Sequence, residues 1–305
     1  MNKPLALAAL CLLLGACASV PPPPAPQPQP IPAASAAPVP IAVAVTRHDY
    51  ASDSLLATAW TQRAVEHDLV YTEIYRAAQA QLLTALNTPT WDALPKAARE
   101  GPATGLTPAV VLDIDETVLD NSPYQARLIK SGREYDDATW ADWVRQASAE
   151  PLPGALEYTR FAAAHGITVL YVSNRVAELT APTVANLRSA GFPLADDSVV
   201  YSLGMKVPGC TQTGSSKACR RRMIAKEYRV LEQVGDQVGD FIQPAANTPA
   251  GRAAAMKPYA DWIGERWFVL PNPTYGSWQP ALFGNDWSLS PAERHAREVE
   301  ALRTQ

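Results

Sequence analysis

The sequence has few cysteines, no concentrated positive charge and no long hydrophobic run. It holds 4 cysteines in 305 residues, and its 26 Lys and Arg against 30 Asp and Glu give a net charge of −4. The short basic run Arg220–Arg222 cannot follow a phosphate backbone, so binding to a nucleic-acid polymer is not expected. The apolar run Leu5–Leu14 is too short to span a bilayer as a helix.

The N-terminal region has the features of a lipoprotein signal. Lys3 precedes the Leu5–Leu14 segment, which has the length of a signal-peptide core. The following residues, Leu14-Gly15-Ala16-Cys17, resemble a bacterial lipobox, so we expect a signal peptide over residues 1–16 and a lipidated Cys17 as the only membrane attachment. An ordinary cleavage site beside an incidental cysteine is the alternative. Ala18 favours the outer membrane, because inner-membrane retention usually requires Asp there.

Residues 17–45 are expected to be a tether. Prolines dominate residues 20–40 and favour an extended polyproline II chain that cannot pack a core. A ligand for a proline-binding module is the alternative. Residues 46–305 are predicted to be a single domain with an insertion at 121–153, because no second linker of this composition follows.

Apolar runs and helical segments alternate after residue 108, which predicts a parallel sheet with helices on both faces. The predicted strands are Ala109–Leu112, Ile167–Val172, Val199–Leu203 and Val230–Val234, followed by the apolar piece Arg266–Leu270. The predicted helices are Gly154–His165, Glu178–Ala190 and Lys217–Tyr228, and a helical region over Ser54–Leu86 precedes them. In that region we expect His67 and Asp68 on a solvent-exposed face.

The first predicted strand ends in paired carboxylates, Asp113 and Asp115. An extended backbone aims both side chains the same way, and two carboxylates about 5 Å apart repel by about 3 kcal/mol at an effective dielectric constant near 20. They therefore need a hard cation such as Mg²⁺, or one of them must hold a proton and can act as a general acid.

The other predicted strand ends carry groups that suit an anion. Ser173 and Asn174 follow the second strand, ahead of a helix. Lys217 begins the helix after the third. Asp236 and Asp240 follow the fourth, among glycines that allow close approach of the backbone. Each signal is weak alone, but together, at four successive strand ends, they are specific.

In this order, DIDET, VSNR, a later lysine and GDQVGD resemble the four motifs of the haloacid dehalogenase (HAD) superfamily of aspartate-dependent phosphatases. The longer string DIDETVLDNSPY, with the lipobox and PNPTYGSW, looks like the bacterial class C acid phosphatases, the outer-membrane lipoprotein 5′-nucleotidase group. The resemblance covers about residues 54–280. It implies a HAD-like (Rossmann-like) α/β fold with extra N-terminal helices and a small helical insertion after the first strand.

The resemblance also implies roles for individual residues. Asp113 would be the nucleophile that forms an aspartyl-phosphate, and Asp115 would protonate the leaving group and then deprotonate water. Ser173, Asn174 and Lys217 would hold the phosphoryl oxygens.

One Mg²⁺ would be bound by the Asp113 carboxylate, the Asp115 backbone carbonyl and Asp236. Thr117 would brace the loop around Asp113, and Asp240 would support the metal directly or through water. Two departures are noted: Gly239 stands where family members usually carry a further acid, and Glu232 and Gln233 interrupt an apolar strand.

The expected substrates are nucleoside monophosphates and other small phosphomonoesters. The resemblance suggests that Trp140 and Tyr275 sandwich a nucleobase, although filling the core is the ordinary role of such residues. A phosphotransferase would share every motif, and a non-catalytic ligand-binding lipoprotein is a further alternative. The sequence does not determine the preferred monoester, the pH optimum or whether the protein forms a homodimer.

Cys210 and Cys219 are the remaining candidates for a disulfide. In an oxidising envelope compartment we expect them to be bonded, with two buried free thiols as the alternative. Lys217 lies inside the ring that this bond would close, which gives the hypothesis that the bond positions the lysine.

Overall fold

The chain folds around a five-stranded parallel sheet in the computed structural model, which describes residues 53–305. Along the chain the strands are β1 (Thr107–Leu112), β2 (Leu119–Asp120), β3 (Glu150–Pro151), β4 (Thr168–Val176), β5 (Val200–Leu203), β6 (Tyr228–Gly235) and β7 (Trp267–Val269). The order in the sheet is β5-β4-β1-β6-β7, and β2 pairs with β3 separately. The predicted parallel α/β fold is therefore confirmed, with β7 within the late apolar piece.

Helices flank the sheet and connect its strands. They are α1 (Leu55–Arg63), α2 (Val65–Leu86), α3 (Ser122–Ser131), α4 (Asp137–Gln146), α5 (Ala155–Ala164), α6 (Thr180–Ala190), α7 (Ala218–Glu227), α8 (Val238–Phe241), α9 (Pro249–Met256) and α10 (Pro291–Glu300). Short 3-10 turns cover Lys96–Ala98, Ala177–Leu179, Asp197–Val199, Lys257–Trp262 and Pro280–Phe283.

The central strand β1 is the most buried part of the fold. Ala109–Leu112 is buried throughout, since β1 is paired on both edges and covered by helices. Leu112 is in register with Tyr171 of β4 and Val234 of β6. The carboxyl ends of these three strands are therefore level, and the residues that follow them meet at one edge of the sheet.

The N-terminal helical region is broken into α1 and α2 at Ala64, whose backbone is extended (φ −81°, ψ 124°). Within it, the prediction for His67 is wrong. His67 is only 3% exposed, and its ring lies 5.4 Å from that of Trp60 and 4.5 Å from that of Tyr71. The aromatic neighbours provide the burial, whereas Asp68 is exposed as expected.

The segment after β1 is the helical insertion that the sequence predicts at 121–153. It contains α3 and α4 and is closed at its base by the antiparallel pair of β2 with β3. The expected signal peptide, the lipidated Cys17 and the tether over 17–45 all lie outside the described residues. Within residues 53–305, none of the helices combines the length and the apolar character needed to cross a bilayer.

Candidate active site

Asp113 lies at the point where β1 gives way to a tight turn. Its backbone N–H donates to the carbonyl of Val234 at 3.0 Å, which continues the sheet, and its side chain is almost completely buried. The amides of Val118 and Leu119 both donate to the carbonyl of Ile114 at 2.9 Å. Glu116, inside the turn, takes a left-handed conformation (φ 55°). The turn therefore presents Asp113 at the carboxyl edge of the sheet while the chain reverses.

Helix α2 holds this turn in place through hydrogen bonds from two tyrosines. The hydroxyl of Tyr75 donates to the carbonyl of Thr117 at 2.6 Å, and that of Tyr71 donates to the carbonyl of Glu116 at 2.8 Å. Tyr71 also donates to the carbonyl of Pro271 at 3.0 Å. Both tyrosines are buried, so these bonds fix the turn and the loop Pro271–Trp278, here called the late loop, to one helix.

Lys217 lies against the nucleophile predicted from the sequence. It immediately precedes α7, is 3% exposed, and its Nζ contacts Oδ1 of Asp113 and lies 2.7 Å from Oδ1 of Asp240. Burial lowers the pKa of Lys217, but the contacts with Asp113 and Asp240 outweigh it and raise the pKa above its ordinary value. Lys217 is therefore a buried ammonium at the centre of the site.

Asp115 is held by side chains of β4 and by Asn121, the residue before α3. Its Oδ1 accepts from Nε (3.0 Å) and Nη2 (2.8 Å) of Arg175 in β4 and from Nδ2 of Asn121 (2.9 Å). Among the described residues, its Oδ2 contacts only the hydroxyl of Ser173, at 3.4 Å. One carboxylate oxygen is thus fully engaged, and the other is left with a single long contact on the side of Ser173.

Asp236 and Asp240 complete a carboxylate cluster with Asp113. One oxygen from each of the three lies within 4.8 Å of the others. Burial, followed by repulsion from Asp240 and Asp115, raises the pKa of Asp113 to about 7, although Lys217 opposes the shift. Burial and the charges of Asp240 and Asp113 likewise raise the pKa of Asp236.

This donor set fits a hard divalent cation. It consists of carboxylates only, and a cation would offset the repulsion that raises both pKa values. The carboxylate of Asp115 is turned to Arg175 and is not part of the cluster. Asp240 lies in the cluster with the other two. The hydroxyl of Thr117 donates to Oδ2 of Asp113 at 3.5 Å.

The predicted phosphate-binding residues of β4 differ in exposure. Ser173 is fully buried, and its Oγ accepts the backbone N–H of Arg175 at 2.9 Å. Asn174 is exposed, and its Oδ1 accepts from Nη2 of Arg220 at 2.7 Å. The structure therefore brings Ser173, Lys217 and the Asp113 turn together, with Asn174 at the rim.

The two predicted stacking residues lie beside the site on different elements. Trp140 of α4 is half-buried, and the guanidinium of Arg175 lies 5.6 Å from its ring centroid. Tyr275 is half-buried in the late loop, where its carbonyl accepts from Gln237 at 3.4 Å. Its buried hydroxyl has no hydrogen-bond partner among residues 53–305. Trp143, in contrast, is a core residue that donates to Asn121.

Cys210 and Cys219 are joined by a disulfide in the structure, with their Cα atoms 5.6 Å apart. Cys219 is buried in the first turn of α7, two residues after Lys217, whereas Cys210 lies in the preceding loop. The bond therefore ties the loop before Lys217 to the helix that begins after it.

Sequence reasoning assigned no role to three residues that shape the site. Arg175 binds Asp115, Arg220 binds Asn174, and Asn272 donates to Oδ2 of Asp236 at 2.8 Å. Arg175 lies inside the quoted VSNR motif and Asn272 inside PNPTYGSW, so both motifs contained the signal. Arg220 gave none, because a basic residue on a helix ordinarily faces solvent.

Comparison with known proteins identifies the family of the chain. Residues 40–278 match the model of the HAD superfamily, subfamily IIIB (acid phosphatase). The solved structure of the class C acid phosphatase from Bacillus anthracis superimposes with a TM-score of 0.73 at 29% identity, covering 84% of this chain and 99% of that one. The same enzyme has also been solved with tungstate bound, and that structure superimposes with a TM-score of 0.72.

Curated plant proteins are also similar. The stem 31 kDa glycoprotein of Glycine max is 28% identical over 166 residues, which cover 54% of this chain and 58% of that protein. Acid phosphatase 1 of Solanum lycopersicum is 27% identical over 165 residues, which cover 54% and 57%. The chain thus spans somewhat more than half the length of the curated relatives that it matches.

Proposed function

Since the chain belongs to subfamily IIIB of the HAD superfamily, the acid phosphatase subfamily, we propose that it is a phosphomonoesterase that works through an aspartyl-phosphate on Asp113. One observation carries the proposal. Asp113, Lys217 and Ser173 meet at the carboxyl edge of the sheet beside a cluster of further carboxylates. This is where a parallel α/β sheet binds its ligand.

Asp113 is the nucleophile of this proposal. Lys217 and the Thr117 hydroxyl hold its two oxygens separately, which fixes the plane of the carboxylate before the substrate binds. Lys217 stabilises charge on the phosphoryl oxygens as the bond to Asp113 forms. Ser173 and the backbone that follows it supply neutral donors for the same oxygens.

Asp115 carries the proton. Its Oδ1 is occupied by Arg175 and Asn121, so Oδ2 is the oxygen that can present a proton to the leaving group. After the alcohol leaves, the same oxygen accepts a proton from the water that hydrolyses the aspartyl-phosphate. Arg175 thus orients the general acid, although it contacts no part of the substrate in this scheme.

A divalent cation, Mg²⁺ by the chemistry of its donors, is part of the proposal. The carboxylates of Asp113 and Asp236 and the backbone carbonyl of Asp115 would hold it, with Asp240 beside them. When bound, such an ion neutralises charge on the nucleophile and the phosphoryl group. The Bacillus anthracis enzyme has been solved with tungstate bound, and tungstate is a tetrahedral oxyanion like phosphate.

Nucleoside monophosphates are the proposed substrates, which would make the enzyme a 5′-nucleotidase. Trp140 and Tyr275 lie beside the site, on α4 and in the late loop. Stacking on two aromatic faces accepts any base, so other small monoesters are turned over as well.

The cellular location stays a proposal from the sequence. The lipobox at Leu14–Cys17 and the tether place the phosphatase domain at the outer membrane of a bacterial envelope, attached only through lipid on Cys17. Metabolic labelling with a palmitate analogue tests this, since Cys17→Ser should abolish both the label and the membrane fraction of the protein.

The proposed activity is tested by phosphate release from a panel of nucleotides and simple monoesters, with Mg²⁺ and with EDTA. Wild type should be active with Mg²⁺ and lose activity in EDTA, and Asp113→Asn should be inactive. Asp120→Asn is the matched control, because Asp120 accepts the backbone N–H of Ser122, which an Asn oxygen can also accept. Full activity of Asp113→Asn would refute the mechanism. Excess alcohol acceptor in the same assay separates hydrolysis from phosphoryl transfer.

A further inference from the structure

Arg220 is a completely buried arginine whose guanidinium joins β4 to the loop before Lys217. Nη1 donates to the carbonyl of Ser173, and Nη2 donates to Oδ1 of Asn174 at 2.7 Å. Nη2 also lies 3.1 Å from the carbonyl of Ser216 and 3.5 Å from that of Ser215. These two carbonyls belong to the residues directly before Lys217.

The contact with Asn174 fixes which way its amide points. A guanidinium has donors only, so the amide must offer its oxygen to Arg220 and direct its Nδ2 donors away from it. Asn174 is exposed at the rim of the site, and its Nδ2 has no protein partner among residues 53–305. Arg220 therefore turns an amide that could accept or donate into a directed donor.

The contacts of Arg220 also couple the two halves of the phosphate site. On one side they hold the end of β4, where Ser173 and Asn174 lie, and on the other the backbone before Lys217. No other guanidinium within the described residues contacts both segments. A lysine could not replace it, because a single ammonium cannot reach carbonyl and amide oxygens on both sides in a planar fork.

We propose that Arg220 is a positioning residue of the phosphate-binding site, which directs the Nδ2 donors of Asn174 toward the anionic group of the substrate and holds them in register with Lys217. The inference rests on the proposed phosphatase function. It predicts that Arg220 governs affinity for the phosphoryl group itself, and so for every monoester alike.

The test compares Arg220→Lys with Arg229→Lys. Arg229 is an equally suitable buried arginine, which donates to the carbonyls of Ala85, Leu86 and Thr88 at the opposite end of β6. Both variants should lose similar thermal stability. For each we would measure kcat and KM for two unrelated monoesters and the inhibition constant Ki of inorganic phosphate.

Arg220→Lys should raise the Ki of phosphate at least about tenfold, as expected for losing aligned donors to an anion, whereas Arg229→Lys should leave it within about twofold of wild type. Asn174→Ala should also raise Ki. The double variant should be little worse than Arg220→Lys alone, because two residues that act together are not additive.

Equal Ki values for the two lysine variants would overturn the inference, as would fully multiplicative effects of Arg220→Lys and Asn174→Ala. Should Arg220→Lys fail to fold, Asn174→Ala decides alone, since Asn174 is exposed, and an unchanged Ki would overturn the inference. Failure of the proposed function shows differently, as absence of phosphate release by the wild-type protein.

Discussion

At the scale of single residues, the acids of the DIDETVLD segment have separate tasks that follow from their partners. Asp113 faces Lys217 and Asp115 faces Arg175, whereas Glu116 accepts the backbone N–H of Asn121 inside the turn. Asp120 accepts the N–H of Ser122. The sequence singled out Asp113 and Asp115, but it could not show that Arg175 occupies one oxygen of Asp115 and leaves the other to Ser173. That arrangement depends on a contact across 60 positions of the chain.

Tyr275 gives a direct test of substrate recognition. Tyr275→Ala should raise the KM for AMP about tenfold or more, since stacking on a base contributes about 1–3 kcal/mol, and should leave the KM for glycerol 2-phosphate nearly unchanged. The measurement is steady-state kinetics with both substrates. Tyr275→Phe is the matched control, because it keeps the ring and removes only the hydroxyl. Equal losses on both substrates would count against base stacking.

At the scale of secondary-structure elements, the sequence predicted the strands of the sheet and misjudged the side chains that line one of them. Glu232 and Gln233 looked misplaced in an apolar strand, yet β6 is buried from Arg229 to Gly235. Tyr158 donates to Oε2 of Glu232 at 2.6 Å, and Gln233 donates to the carbonyl of Ala93 at 2.9 Å. Those partners come from α5 and from the segment after α2. The sequence of β6 alone therefore could not predict them.

The buried Glu232 predicts a pH dependence of stability. Burial raises its pKa above the ordinary value, although Tyr158 opposes the shift. The folded protein therefore binds a proton more tightly than the unfolded chain. The associated stability is complete below the unfolded pKa of about 4.5 and is lost as pH rises through the folded pKa.

Glu232→Gln removes this titration and keeps an acceptor for Tyr158. The free energy of unfolding of wild type minus that of Glu232→Gln should fall as pH rises from 4.5 to 8, with a slope of at most about 1.4 kcal/mol per pH unit. Urea unfolding at several pH values measures it. Glu66→Gln, at an exposed position of α2, should show a constant difference. A rising difference for Glu232→Gln would contradict the prediction.

The disulfide makes a second prediction at this scale. It closes a ring of about ten residues around Lys217, which the chain-entropy model values at about 2.5 kcal/mol. Cys210→Ala combined with Cys219→Ala should therefore lower the melting temperature. Well below that temperature the double variant should still have a lower kcat/KM, because the loop before Lys217 is no longer tied to α7. The measurement is kinetics at 20–30 °C below melting, and full activity there would show that Asp113 and Asp240 position Lys217 unaided.

At the scale of the whole molecule, the site is assembled from segments far apart in the chain. Four segments meet at the carboxyl edge of the sheet. They are the tyrosines of α2, the turn after β1, the start of α7 and the late loop at Asn272. The general location was predictable, because parallel strands end on one side. The hydrogen bonds from α2 to the turn after β1 were not predictable, because the spacing of Tyr71 and Tyr75 is that of any helix packed against a core.

A site built in this way should link cation binding to global stability. The cluster of Asp113, Asp236 and Asp240 exists only in the folded protein, so an ion bound there stabilises it by about 2.7 kcal/mol at 100 times its dissociation constant. Titration with Mg²⁺ after EDTA treatment should therefore raise the melting temperature of wild type by about 5–10 °C.

Asp236→Asn separates this linkage from a general salt effect. The amide oxygen of the new side chain still accepts from Asn272 and Gln237. The substitution removes a charge that repels Asp113 and Asp240. Without metal, the variant should melt at or above the temperature of wild type, and its response to Mg²⁺ should be small. Asp142→Asn, at an exposed position of α4, should respond to Mg²⁺ as wild type does. An equal response in all three proteins would place the cation outside this cluster, because only one of the two substitutions removes a carboxylate from it.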